Sequence, residues 1–316
     1  MSHGGFIAYR ELFFQGSLQV DLIDAQDPGL SGFVAWVVAI YFWKPLHIFV
    51  PQNIFQRSFY LRSVTNAWRC FVGRIIVQRA THICAASEAI HAAISDIDVT
   101  LGDDTLVVPD VLDINAYRLE PLRVDIRAKY PQFRIIILMV APLTKDQNIE
   151  LGIHILHEVH LAYPHVGLVI VGEGSQKQTL RTLAHNLGLS EWVMFEPWND
   201  NLPSYYKSAH IFLVTALHEE YANTITCAAA AGCAIVTSGV GSAQAFIEQE
   251  VSGYLCDPSD VQSYVRSIVP LVLKPELLIR IRAGAGIALD HYIGAGMARI
   301  RHRNYTESWK NTISTL

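Results

Sequence analysis

Residues 134–171 read RIIILMVAPLTKDQNIELGIHILHEVHLAYPHVGLVIV, and this stretch decides the fold class. Its two aliphatic runs, at 134–141 and 166–171, are continuous and show no polar alternation, which is typical of strands buried on both faces. Between them, residues 149–162 place apolar side chains at helical spacing. A helix between two buried strands predicts a parallel sheet that is covered by helices on both sides.

The same alternation continues toward the C-terminus. Helices are predicted at 176–187 and 224–231, and strands at 192–195, 211–214 and 234–237. This order predicts a doubly wound α/β domain with a Rossmann-like parallel sheet. In such sheets, ligands bind at the carboxyl ends of the strands.

The N-terminal third is less regular but also has α/β signals. Its predicted elements are strands at 20–25, 46–50 and 105–108 and helices at 31–43 and 86–94. Residues 110–132 have mixed polarity and two prolines, and we interpret them as a linker. Two α/β halves joined by a linker predict a cleft between them.

Composition excludes several classes of protein. Of 316 residues, 51% are hydrophobic and 17% charged, which is incompatible with disorder. The net charge of -5 gives no excess of basic residues of the kind that binds nucleic acid. The five cysteines lack paired C-x-x-C spacing, which predicts reduced thiols in a cytoplasmic protein. Mean hydropathy is high at +0.25, but the longest apolar stretch, residues 30–43, is shorter than the ~20 residues of a membrane span.

An ordered series of motifs runs through the chain. In the N-terminal part it includes VDLIDAQDPGLSG at 20–32, ATHICAASEAI at 80–90 and VVPDVLDINAY at 107–117. It continues with ILMVAPLTKDQNI at 137–149, LVIVGEGSQKQTL at 168–180, VMFEPWNDNLPSYYKSAHIFLVTALHEEY at 193–221, AAAAGCAIVTSGVGSAQAFI at 228–247 and SGYLCDPSD at 252–260. The series resembles glycosyltransferase family 4, the retaining nucleotide-sugar enzymes of GT-B fold.

The resemblance implies a GT-B-like α/β fold of two Rossmann-like, doubly wound domains facing a cleft. The expected domains are 1–120 on the acceptor side, 121–285 for the nucleotide-sugar and a helical tail at 286–316. The family's first strand and glycine-rich loop are not recognisable in residues 1–18. We therefore expect the N-terminal domain to be truncated.

The resemblance also implies a donor site. Glu219 matches the family carboxylate that contacts the donor sugar, which makes it the candidate catalytic residue. The expected nucleotide and diphosphate contacts are Gly172, Gly174, Lys145, Tyr221, Ala222, Asn223, Thr224 and Gly241. Backbone N–H groups at a helix N-terminus would stabilise the leaving diphosphate, so neither a metal nor a cofactor is expected. Two alternatives stay open: Gly172 and Gly174 also suit a tight turn, and Glu219 an ordinary helix N-terminus.

Several family positions hold other residues in this chain. Cys227 stands where the family has a second carboxylate that contacts the ribose, and a thiol cannot accept two hydroxyl bonds as a carboxylate does. Pro142 and Gln147 replace two cations that bind the diphosphate, and Pro51 replaces an active-site histidine. Glu220, Ala222 and Ala245 are further departures. The pattern indicates a retained fold with a degenerate active site.

Three functional hypotheses follow. The first is transfer of a hexose, with retention, from a nucleoside diphosphate sugar to a glycan or lipid-linked acceptor. The alternative is an inactive pseudo-glycosyltransferase that binds a ligand or a protein partner, such as one that completes the truncated domain. The third is a gene fragment without an independent role. The expected location is the cytoplasm, with peripheral attachment to the inner membrane face as an option.

Other residue patterns give weaker evidence of a function. His154, His157 and His160 lie on one predicted helix and could bind a metal, but a half-exposed helix face explains them better. His218 beside Glu219 is more simply a loop residue. An aromatic stripe at Phe33, Trp36, Val37 and Tyr41 suits core packing better than membrane attachment, because its own helix lacks a basic face.

Overall fold

The computed structural model describes residues 21–51, 54–55, 60–61, 64–86, 88–103, 105–107, 114–217, 223–239 and 247–294. The chain divides between residues 111 and 112 into two compact units, each with its own parallel sheet. The division lies nine residues before the expected boundary at 120, and the expected boundary at 285 falls inside a helix.

The first unit is a four-stranded sheet with helices between its strands. Its elements are β1 (Ile23–Ala25), α1 (Leu30–Phe42), β2 (Leu46–Val50), α2 (Val64–Val77), β3 (His82–Ala85), α3 (Glu88–Ser95), α4 (Val99–Asp103) and β4 (Thr105–Val107). The strands lie in the order β1-β2-β3-β4, and every pair is parallel. Right-handed connections between sequential parallel strands put their helices on the same face of the sheet. Ile48 and Val50 of β2 pack there against Ile76 of α2.

The second unit has a larger sheet and more helices. Its elements begin with α5 (Asn115–Leu119), α6 (Ile126–Lys129), β5 (Ile135–Val140), α7 (Ile149–Ala162), β6 (Val166–Val171) and α8 (Lys177–Asn186). They continue with β7 (Val193–Glu196), α9 (Leu202–Ser208), β8 (Ile211–Val214), α10 (Asn223–Ala230), β9 (Ala234–Ser238), β10 (Tyr254–Cys256), α11 (Val261–Leu273) and α12 (Pro275–Gly294).

The strand order of the second sheet locates its ligand-binding edge. The order is β10-β9-β8-β5-β6-β7 and all pairs are parallel. The chain therefore builds outward from β5 in one direction and then, from β8, in the other. This is the doubly wound Rossmann order, whose topological switch point lies between β5 and β8.

Burial explains why the strands of this sheet are continuously apolar. Ile137 and Leu213 face one hydrophobic core with Ile153 of α7, whereas Ile136 and Phe212 face a second core on the opposite side. Both sides of β5 and β8 are thus covered by helices, as the uninterrupted aliphatic runs predicted.

Most predicted elements of the second unit agree with the structure, and α7, β6 and β8 have the predicted bounds. In the first unit the prediction missed α2, β3 and α4. Residues 110–132 were interpreted as a linker, but the described part of this segment contains α5 and α6 and belongs to the second unit. Ile126 shows why, because its side chain is completely buried in that unit's core.

Candidate functional site

Two loops meet at the switch point of the second sheet. One follows β5 and comprises residues 141–148, and the other follows β8 and begins at Thr215. The Thr215 hydroxyl donates to the carbonyl of Asn148 at 2.9 Å, and the Leu217 N–H donates to the carbonyl of Asp146 at 3.0 Å. These bonds fix the chain immediately before Glu219 against the loop that contains Lys145.

Lys145 occupies the exposed side of this junction. It lies in a 3-10 turn, Lys145–Gln147, that ends at Asn148 with a φ of 49°. Asparagine tolerates this left-handed conformation better than most residues, which lets the chain reverse into α7. No ion pair joins Lys145 to any carboxylate among the described residues. An exposed cation without a described counter-ion is available for an anionic ligand.

Gly172 and Gly174 follow β6 and pack against the loop that follows β5. A Cβ on Gly172 would overlap the carbonyl oxygen of Ala141, and one on Gly174 would lie 2.7 Å from the carbonyl carbon of Leu143. The Leu143 N–H donates to Glu173 O at 2.9 Å, which holds the two loops together. The close approach that requires glycine is therefore to the chain's own backbone. Contact of either glycine with a nucleotide stays a prediction.

Helix α10 begins at Asn223, one residue before its predicted start. Asn223 and Thr224 are half-buried in its first turn, where backbone N–H groups lack partners within the helix and favour an anion. Glu219, Tyr221, Ala222 and Gly241 lie outside the described residues, as do His218, Glu220 and Ala245. Their roles stay predictions.

Cys227 is packed inside the second unit. Its side chain is buried in the same core as Tyr206, and the Tyr117 hydroxyl of α5 lies beside its thiol. Burial raises the pKa of the Cys227 thiol to about 11, and the Tyr117 contact opposes only part of that rise. The Tyr117 and Tyr206 rings meet edge to face with centroids 5.4 Å apart. Aromatic side chains thus cover the position at which the family resemblance expects a ribose contact.

Three other replaced positions lie in segments that follow strands. Pro142 is exposed two residues after β5, and the half-buried Gln147 in the 3-10 turn accepts the Thr215 hydroxyl at its backbone carbonyl at 3.1 Å. Pro51 directly follows β2, at the carboxyl end of the first sheet. Neither proline nor a neutral amide supplies the positive charge that a diphosphate requires.

The three histidines of α7 do not form a ligand set. The His160 ring packs on Trp192 with centroids 4.7 Å apart, and burial lowers its pKa. Within the described ranges no group of three or more His, Cys, Asp or Glu side chains could hold a metal ion.

A polar cluster in the first sheet was missed from the sequence. His47 of β2 places Nδ1 2.6 Å from Asp24 Oδ1 on β1 and Nε2 3.5 Å from Cys84 Sγ on β3. Burial opposes protonation of His47, but Asp24 and Cys84 together raise its pKa to about 9. Pairing of the parallel strands brings these residues onto one face, which the sequence alone does not reveal because strand order is required.

A buried carboxylate in the second unit was also missed. Glu196, at the end of β7, accepts hydrogen bonds from Lys129 Nζ at 2.5 Å, from the Tyr130 hydroxyl and from the Tyr205 hydroxyl at 3.1 Å. Burial would raise its pKa, but Lys129 and Tyr130 hold the pKa of Glu196 below its usual value. This cluster joins α6 and α9 to the sheet, which is a structural role.

Comparison with known sequences gives a consistent family. The family model described as "Glycosyl transferases group 1" matches residues 125–285. The lipopolysaccharide core biosynthesis glycosyltransferase LpsE of Rhizobium meliloti is 28% identical over 130 residues, which are 41% of this chain and 38% of LpsE. An uncharacterized glycosyltransferase of Haemophilus influenzae is 24% identical over 178 residues, 56% of this chain and 48% of that protein. The matches thus span less than half the length of these curated relatives.

Solved structures share the fold. HepE of Anabaena, crystallised with UDP and glucose, aligns with a TM-score of 0.80 at 19% identity, covering 100% of this chain and 84% of HepE. Sucrose-phosphate synthase of Thermosynechococcus elongatus aligns with a TM-score of 0.76 at 19% identity, covering 96% and 78%. The predicted fold class, α/β with parallel sheets in two domains as in GT-B glycosyltransferases, is confirmed.

Proposed function

Because the chain belongs to the glycosyl transferases group 1 family, we propose that it transfers a sugar from a nucleoside diphosphate donor. In its finer form the proposal is a retaining, family 4 hexosyltransferase that acts on a glycan or lipid-linked acceptor in polysaccharide biosynthesis. The name of LpsE, a lipopolysaccharide core biosynthesis glycosyltransferase, supports this class of acceptor. The UDP and glucose bound to HepE support this class of donor.

The observation that carries the proposal is the junction at the switch point. The loops after β5 and β8 are joined there by the Thr215 and Leu217 hydrogen bonds, at the sheet edge where doubly wound folds bind ligands. Lys145 supplies a positive charge at this edge, and α10 begins nearby in sequence after β8.

These groups suit the charge that the reaction develops. As the donor's sugar–oxygen bond breaks, negative charge grows on the leaving diphosphate, and it is stabilised by donors that are already in place. We assign this task to Lys145 and to the first N–H groups of α10, with Glu219 orienting the sugar. No metal takes part in this scheme. The protein would work in the cytoplasm, at the inner membrane face.

One observation favours a second candidate, a pseudo-glycosyltransferase that acts as a binding or partner subunit. Tyr117 and Tyr206 cover Cys227, so the expected ribose contact is replaced by a packed thiol. Losing one preorganised donor commonly costs ~3 kcal/mol of transition-state stabilisation, and Pro142 and Gln147 remove two more charges.

Calorimetric titration without metal tests the proposal. The folded chain is titrated with UDP, GDP and their sugars, and radiolabelled donor then tests for sugar release or transfer. Micromolar binding of one nucleotide with turnover supports the transferase. Absence of binding up to millimolar nucleotide, from a protein shown to be folded, overturns it in favour of the partner subunit.

Two matched variants locate the diphosphate. Pro142→Arg with Gln147→Lys adds charge at exposed and half-buried loop positions, and we expect nucleotide affinity to rise about tenfold or more. The control, Arg280→Glu, changes an exposed charge on α12 and should leave affinity unchanged. An unchanged affinity in the double variant, when the wild-type chain binds, would place the diphosphate elsewhere.

A further inference from the structure

Helix α1 buries its small side chains and exposes its large apolar ones, which is the reverse of the usual arrangement. Its buried residues are Gly32, Ala35 and Ala39, whereas bulky side chains face solvent. A Cβ on Gly32 would lie 3.2 Å from Ile76 of α2, so small residues are what allow the two helices to pack closely. In an ordinary surface helix the large apolar side chains face the core. The exposed side of α1 is therefore built to contact something other than water.

Helices α1 and α2 pack against each other, and we call their exposed apolar side chains together the α1–α2 surface. Its members in α1 and the residue after it are Leu30, Phe33, Val34, Val37, Ile40, Tyr41 and Trp43, and those in and just before α2 are Leu61, Val64, Trp68 and Phe71. Their spacing of three and four residues puts each set on one side of its helix. Isolated exposed apolar residues are common, but eleven of them on two neighbouring helices, five aromatic, mark an interaction site.

Trp43 is the most exposed of these side chains, at 91%, and it holds a costly backbone conformation. Its φ of 53° lies in the left-handed region, where a helix end usually has glycine. The Lys44 N–H donates to Ala39 O at 3.0 Å, which completes the capping turn. Glycine would satisfy this turn with less strain, so the fold does not require tryptophan at this position. We therefore look for the role of Trp43 in its exposed side chain.

The charge around this surface is mainly positive, although Arg69 of α2 is paired at 3.9 Å with Asp27, which lies just before α1. Residues 28–87 contain six lysines and arginines and no aspartate or glutamate, although the whole chain has a net charge of -5. Arg74 follows Phe71 by three residues on the exposed side of α2, Arg79 is exposed just beyond the helix, and Lys44 follows Trp43. The basic residues that α1 lacks are thus contributed largely by its neighbour, which sequence reasoning on α1 alone could not find.

We propose that the α1–α2 surface binds anionic lipid membranes by inserting its aromatic side chains beside this basic border. Tryptophan and tyrosine suit the headgroup region, because each joins an apolar ring to a polar group, and cations there are attracted to anionic lipids. Among the described helices none is long and apolar enough to cross a bilayer, and α1 has only 13 residues.

A second copy of the chain fits the surface less well. A two-fold dimer would bring the same basic border of both copies together, because such an interface uses the same patch on each subunit. The excess of positive charge in residues 28–87 would then be doubled in one interface, where Asp27 is already paired with Arg69. An anionic bilayer complements both the apolar centre and the basic border.

Co-sedimentation of the full chain with lipid vesicles tests the proposal. We expect binding to vesicles of equal parts phosphatidylglycerol and phosphatidylcholine, about tenfold weaker binding to phosphatidylcholine alone, and weakening as salt shortens the range of the attraction. The proposal rests on the membrane location given above and not on sugar transfer. The assay contains no nucleotide, so its failure is distinct from failure of the transferase proposal.

Two variants and two controls separate lipid contact from folding. Trp43→Gly should weaken vesicle binding about tenfold while leaving the urea midpoint unchanged or higher, since glycine relieves the left-handed strain. Arg74→Glu should weaken binding to anionic vesicles by a similar factor. The controls are Trp198→Ser and Arg280→Glu, exposed residues of the second unit whose variants should bind like the wild type.

Several results would overturn the proposal. These are no binding to anionic vesicles at low salt, equal binding by Trp43→Gly and the wild type, or equal loss in the controls. Light scattering provides a further check. A dimer that Trp43→Gly converts to monomer, with no vesicle binding by the wild type, would assign the surface to self-association instead.

Discussion

Replacement of Gly174 by alanine tests how the loops at the switch point are held. An added Cβ would lie 2.7 Å from the carbonyl carbon and 2.8 Å from the amide nitrogen of Leu143. These are backbone atoms, so no side-chain rotation relieves the overlap, and the loops after β5 and β6 have to separate.

The magnitude follows from what joins the two loops. The Leu143 N–H donates to Glu173 O at 2.9 Å, and the Gln176 N–H donates to Leu143 O at 3.0 Å. Weakening both bonds would cost about 2 kcal/mol in total, which lies within the range of about 1–3 kcal/mol typical of overpacking as a whole. We expect the free energy of unfolding of Gly174→Ala to fall by about 2 kcal/mol.

Urea unfolding measures this change, and amide hydrogen exchange locates it. The Leu143 and Gln176 amides should exchange faster in Gly174→Ala. Gly286→Ala is the matched control, because this glycine lies inside α12 with open space where its Cβ would be. That control should be more stable than the wild type by about 0.5–1 kcal/mol. If Gly174→Ala keeps the wild-type midpoint while Gly286→Ala shifts upward, the packing argument is refuted.

Two further predictions concern buried ionisable groups. His47→Gln should lose on the order of 3 kcal/mol of stability below about pH 6.5, because Asp24 and Cys84 overcome the effect of burial and raise the folded pKa of His47 to about 9. This pH-dependent part of the difference from wild type should disappear as pH rises through that value. A constant difference across that range in pH-dependent urea unfolding would contradict this. Glu196→Gln should cost about 1–3 kcal/mol at neutral pH, and the loss should vanish in acid as pH falls through the lowered Glu196 pKa. Lys177→Gln, at an exposed pair with Glu173, is the control and should change stability by less than ~0.5 kcal/mol.

The second sheet shows how much of the fold can be predicted from the sequence. Strands β5 and β6 and helix α7 are predictable because a strand buried on both faces has no polar alternation and a helix has a different period. Helix α2 was missed because it also exposes Val64, Trp68 and Phe71, so its apolar residues do not mark a single helical face. The segment at 110–132 was interpreted as a linker because mixed polarity hides the burial of Ile126.

The candidate site divides in a similar way. Motif order placed Gly172 and Gly174 after a strand and Lys145 in a loop, and the structure has them there. It did not indicate that both glycines pack on Ala141 and Leu143, or that Tyr117 covers Cys227. Those contacts join segments distant along the chain, and a local motif contains no information on them.

The sequence by itself determined that this protein is an α/β chain with a doubly wound C-terminal domain, since hydrophobic periodicity is a local property. Only the tertiary structure decided which strands are neighbours, and hence that Asp24, His47 and Cys84 meet and that the switch point lies between β5 and β8. It also decided that Phe33 and Tyr41 face solvent and not the core. The physical reason is that periodicity tells which side chains share a face, whereas what covers that face depends on contacts between distant segments.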